Sequence, residues 1–99
     1  MSEIELVLNA IPEGKENAIS RAQLAATVEM PDRSVRRCIE QARRNGEFIL
    51  SDPERGGYYR SDDIGEIEQQ YRIDKARALS VLARLKHMKR ALKEAGRKV

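Results

Sequence analysis

The chain has 99 residues, 35% of them charged and only 4% aromatic, with a formal net charge of +3. That length has room for one modest core, or a smaller one with an appendage, and the composition suits a soluble, helix-rich chain rather than an all-β one. No run approaches the roughly 18 apolar residues of a membrane span and no signal-peptide pattern opens the chain, while one cysteine excludes an intrachain disulfide and fits a reducing cytoplasm.

Ser2 and Glu5 stand at capping-box spacing before a short helix whose inward stripe is Ile4, Val7, Leu8 and Ile11, ended by Pro12. Residues 13–17 read as a turn-rich loop, and Ala18-Ile19 as a two-residue strand. Ser20 and Gln23 repeat the capping spacing and open a second helix to about Glu29, with Leu24, Ala25 and Val28 inward. After a short connection at Glu29-Met30-Pro31, Val35, Cys38, Ile39 and Ala42 fall at i, i+3, i+4 and i+7 and draw one apolar stripe. At about 100° per residue the opposite face carries Arg33, Arg37 and Arg44, with Ser34, Arg36 and Gln41 on its flanks. Asn45-Gly46 stops this third helix. A charged face of this kind is commonly just solvated. Two helices joined by three or four residues, the second basic outside, instead make a helix-turn-helix.

The pattern Leu24-Ala25-x-x-Val28-x-Met30-Pro31-x-Arg33-Ser34-Val35-Arg36-Arg37-x-Ile39 resembles the helix-turn-helix of bacterial DNA-binding regulators. It departs from that pattern at Glu29, where glycine is usual because the turn takes a positive φ. Glu47–Ser51 and Tyr58–Arg60 read as strands around the turn Asp52–Gly57, a hairpin directly after the basic helix. The run from Asn45-Gly46 to Gly57-Tyr58 is similar to the end of the biotin-repressor type of winged helix-turn-helix domain, and the sequence also resembles small phage or prophage DNA-binding proteins. The resemblance covers about residues 2–61. It implies that Ala18-Ile19 is a first strand joining the hairpin.

Residues 62–96 are a different object. Asp63 and Glu66 are spaced as a capping box for one long helix, on the order of 50 Å. Heptads place Ile64, Tyr71, Ala78, Leu85 and Leu92 at a, and Ile67, Asp74, Val81, Met88 and Ala95 at d. Only Asp74 is polar. A stripe this long outruns what a body of about 60 residues can cover, so a homodimer through residues 62–95 is expected, with antiparallel pairing favoured by charge. Folding back over the first helix is the alternative.

Nothing points to catalysis. His87 is the only histidine and lies among Lys86, Lys89 and Arg90; Cys38 lies on an apolar stripe; no metal-ligand cluster, cofactor motif or phosphate loop is present. The expected architecture is mainly α with a small β-hairpin wing (α+β): a winged helix-turn-helix at residues 1–61, then the long C-terminal helix at 62–96. The expected partner is double-stranded DNA, with no metal, cofactor, small-molecule ligand or membrane. Base contacts are assigned to Arg33, Ser34, Arg37 and Gln41, and backbone or wing contacts to Ser20, Arg36, Arg43, Arg44, Arg55 and Arg60. Dimerisation falls to Ile64, Ile67, Tyr71, Ala78, Val81, Leu85, Met88 and Leu92. The role would be transcription regulation, or control of replication or excision in a mobile element. The competing reading is a winged-helix module that binds protein or serves assembly through the C-terminal helix.

Overall fold

The computed structural model describes all 99 residues. In chain order they form α1 (Glu3–Ala10), a short 3-10 turn (Lys15–Asn17), α2 (Arg21–Val28), α3 (Asp32–Arg44), β1 (Ile49–Ser51), β2 (Tyr58–Arg60) and α4 (Ile64–Glu94). The expected order of helices, hairpin and long final helix is therefore present. The chain divides into two compact units, Met1–Ile67 and Glu68–Val99. The boundary lies six residues beyond the expected one at 61/62, because the first turn of α4 is bonded into the first unit: Ser61 Oγ donates to Glu66 Oε1 at 2.7 Å and the Tyr59 hydroxyl to Oε2 at 3.5 Å.

Each helix of the first unit starts and stops for local reasons. Ser2 Oγ accepts from the Glu5 amide and caps α1, and Ile11 leaves the helix in extended conformation before Pro12. Ser20 and Gln23 close a full capping box on α2. α3 ends in a Schellman arrangement: the Gly46 amide donates to the Arg43 carbonyl and the Glu47 amide to the Ala42 carbonyl, with Gly46 at φ +95°. That bond takes the Glu47 N–H out of any strand and leaves Phe48 exposed, which is why β1 is Ile49–Ser51 rather than the expected Glu47–Ser51. Asp63 caps α4 through the Glu66 amide, but the Glu66 carboxylate turns back to the hairpin instead of closing the expected box.

The core of this unit is Val7, Ile11, Leu24, Val35, Cys38, Ile39, Ala42 and Ile49. One stripe from α3, Val7 of α1 with Ile11 at its end, Leu24 of α2 and the start of β1 thus meet in a common interior. Each aliphatic side chain fully buried there contributes about 1.5–3 kcal/mol. β1 and β2 pair antiparallel with Leu50 opposite Tyr59, both of them buried. Ala18-Ile19 supplies a single bridge instead of a strand, Ile19 to Tyr58, and a second bridge joins Glu13 to Arg60. Gly57 makes the first bridge feasible: its φ is +90°, and a Cβ there would stand 3.1 Å from the Ile19 carbonyl oxygen.

The second unit is α4 from Glu68 onward with its tail. Its C-terminus closes with the Gly96 amide on the Lys93 carbonyl and the Arg97 amide on the Leu92 carbonyl, another Schellman arrangement. No residue of α4 is fully buried. No helix is long and apolar enough to cross a membrane.

Candidate nucleic-acid interface

The candidate interface is the outer face of α3 and what holds that helix in place. Val35, Cys38, Ile39 and Ala42 are buried, as their spacing requires, so Arg33, Arg36, Arg37 and Arg44 are turned outward and exposed. Arg33, Arg36 and Arg37 have no carboxylate within salt-bridge distance; Arg44 has only Glu40, at 3.8 Å. Ser34 is half-buried at the first turn, and Gln41 Nε2 donates to Asn45 Oδ1 at 3.1 Å along the same helix. Arg33, Arg37, Gln41 and Arg44 therefore form one polar surface with Arg36 at its edge.

The turn between α2 and α3 is built around Glu29, at φ 54° and ψ 47°. The left-handed geometry that glycine usually supplies is thus adopted here by glutamate, and the Met30 amide reaches back to the Ala25 carbonyl. A second brace was not visible in the sequence. Arg21 Nε donates to Asp32 Oδ1 at 2.6 Å, joining the first residue of α2 to the first residue of α3. The Asp32 carboxylate, together with the Tyr58 hydroxyl, holds the Arg21 guanidinium above its ordinary pKa. No helical period relates positions 21 and 32, so only the fold could pair them.

Three residues expected at the DNA backbone already have partners within the fold. Arg43 is half-buried: Nε donates to the Ile49 carbonyl at 2.9 Å, Nη2 to Ser51 Oγ at 3.3 Å, and the guanidinium lies 5.7 Å from the Tyr58 ring centre. It joins the last turn of α3 to the hairpin. Arg60 is half-buried too, and its Nε donates to the Ile11 carbonyl at the end of α1. The Ser20 hydroxyl is occupied by Gln23 in the capping box. Arg55 is exposed in the hairpin loop with no ion pair.

That loop is organised by Asp52, which is buried. Its Oδ1 accepts from the Glu54 amide at 3.0 Å and the Arg55 amide at 3.3 Å, and its carbonyl accepts from Gly56. The Glu54 N–H above all, and the Arg55 N–H after it, hold the carboxyl below the usual carboxylate range. Glu40 is the group that sequence reasoning overlooked. On the helical wheel it falls between Arg33 and Arg36, so the basic face carries one acid in its midst. Burial raises the Cys38 thiol above its ordinary pKa, with the Glu3 carboxylate adding to the shift, so the thiol stays protonated at neutral pH. Titratable groups do not gather at a metal-binding cluster.

No protein-family model matches the chain, and neither the curated proteins nor the solved structures give a match.

Proposed function

We propose that the chain binds double-stranded DNA, with α3 lying in a major groove and the hairpin loop bearing on the neighbouring backbone. One observation carries the reading: three arginines, Arg33, Arg36 and Arg37, stand unpaired on the exposed face of a helix whose other face is locked into the core. Unpaired guanidiniums on a rigid helix suit guanine edges and phosphates. Glu40 adds selectivity to this reading, since a carboxylate in a groove accepts from cytosine and repels phosphate. Arg33 and Arg37 then read bases, Ser34 and Gln41 bond bases or phosphates, and Arg36, Arg44 and Arg55 neutralise phosphates. The element order of a helix pair followed by a hairpin supports the winged-helix assignment. The role that fits is a small regulator of transcription, or of replication or excision in a phage or other mobile element, acting in the cytoplasm, where a free buried thiol such as Cys38 persists.

Fluorescence anisotropy on fragments selected from genomic DNA tests this. Affinity should fall steeply with salt. Arg37→Ala should cost about 1–3 kcal/mol on the selected fragment and relax sequence preference, whereas Arg55→Ala should weaken selected and random duplex alike. Equal losses for both variants on both duplexes would overturn the division of roles, and salt-independent or absent binding would overturn the reading.

A further inference from the structure

Along α4 an apolar row lies open to solvent: Tyr71 is 61% exposed, Leu82 57%, Met88 52%, Leu85 46%, Val81 44% and Leu92 43%. On a helical wheel these six fall within one arc of about 120°. Lys75, Lys86 and Lys93 run down one edge of that arc with Lys89 just inside it, and Arg77 and Arg84 run down the other. Soluble proteins rarely leave an apolar row of this length wet, so it marks a surface that another molecule covers.

We propose that a second copy of the chain covers it, with the two α4 helices antiparallel. Charge decides the occupant. Residues 62–74 hold Asp62, Asp63, Glu66, Glu68 and Asp74 against Arg72, a net of −4, and residues 75–99 hold nine Lys or Arg against Glu94, a net of +8. An antiparallel pair lays each acidic end beside the other chain's basic end; a parallel pair lays like beside like and places two Asp74 side chains in one layer. The apolar row obeys the same two-fold symmetry. With Ala78 opposite Val81 of the second copy, Tyr71 meets Met88 and Asp74 meets Leu85, each layer occurring twice. Asp74 does not enter its layer bare, because its Oδ1 already accepts from Gln70 Nε2 at 3.0 Å on its own helix. Glu68 then comes beside Lys89 of the second copy. The like-charged meeting, Arg77 with Arg84 of the second copy, falls at the solvent edge, where salt screens it. An anionic lipid surface would engage the lysine edge but leave the acidic end of the helix without a role. Ile67 is half-buried in the first unit and Ile64 lies at the helix start, so the layers that pair freely run from Tyr71 to Met88.

Sedimentation of the unaltered chain at micromolar concentration should give twice the 11.3 kDa chain mass. Leu85→Asp should return it to the single-chain mass while Cys38 stays shielded from thiol reagents, a sign that the first unit remains folded. In a Cys38→Ser background, Tyr71→Cys with Met88→Cys should form interchain disulfides under mild oxidation and Tyr71→Cys alone should not. The two positions are about 25 Å apart on one helix, so they cannot bridge within a chain. A monomer in sedimentation overturns the proposal, whether or not that monomer binds anionic vesicles, and so does efficient crosslinking by Tyr71→Cys alone. If the Cys38→Ser background unfolds, sedimentation of the unaltered chain and of Leu85→Asp still decides.

Discussion

Glu29 holds a backbone conformation that disfavours a side chain, with φ at 54°. A non-glycine residue there costs about 1–2 kcal/mol, part of which glycine would give back as a more flexible unfolded chain. Glu29→Gly should therefore stabilise the protein by up to about 1 kcal/mol and leave DNA affinity unchanged, as read by urea denaturation and anisotropy. Destabilisation would mean that the glutamate side chain contributes more than its backbone costs. Asp52 poses a question of pH. Its folded-state pKa lies below the unfolded value of about 3.9, so the stability it contributes is fully present above that value and is lost as pH falls through the folded one. The gap in melting temperature between the unaltered protein and Asp52→Asn should be constant above about pH 5 and narrow below about pH 4. A gap that persists into strong acid would mean the charge of Asp52 plays no part in holding the loop.

Among the elements, α3 does two jobs with chemically identical residues. Arg36 and Arg43 are a helix heptad apart, yet one is exposed and unpaired while the other joins β1 and the Tyr58 ring. Arg43→Ala should destabilise by about 1–3 kcal/mol, because it strands the Ile49 carbonyl and strips the ring of its cation. Arg36→Ala should stay within about 0.5 kcal/mol in stability but reduce the salt slope of DNA binding by about one. Denaturation and a salt titration of both variants check this; an unaltered slope for Arg36→Ala with a reduced one for Arg43→Ala would reverse the roles. The hairpin depends on similar long-range ties, with Arg60 reaching Ile11 and Tyr58 bridging Ile19.

At the scale of the whole molecule, two units divide the work: Met1–Ile67 builds a core and presents arginines, and Glu68–Val99 presents an apolar row. The helices, their caps and the inward stripe of α3 were readable from sequence because each is set by contacts within a few residues, repeated at the helical period. So were the exposure of Arg33 and Arg37 and the apolar row of α4, which follow from the same period. Tertiary structure alone decided the pairings that no helical or strand period sets. It withdrew Arg43 and Arg60 from the outer face, paired Arg21 with Asp32 across the turn, reduced Ala18-Ile19 to one bridge, and carried the first unit to Ile67 through Glu66. For the three arginines and Glu66 the partner is a carbonyl, carboxylate or hydroxyl that no periodicity brings near. Local sequence can specify which way a side chain leaves its helix, but only the packed fold determines which polar group waits there.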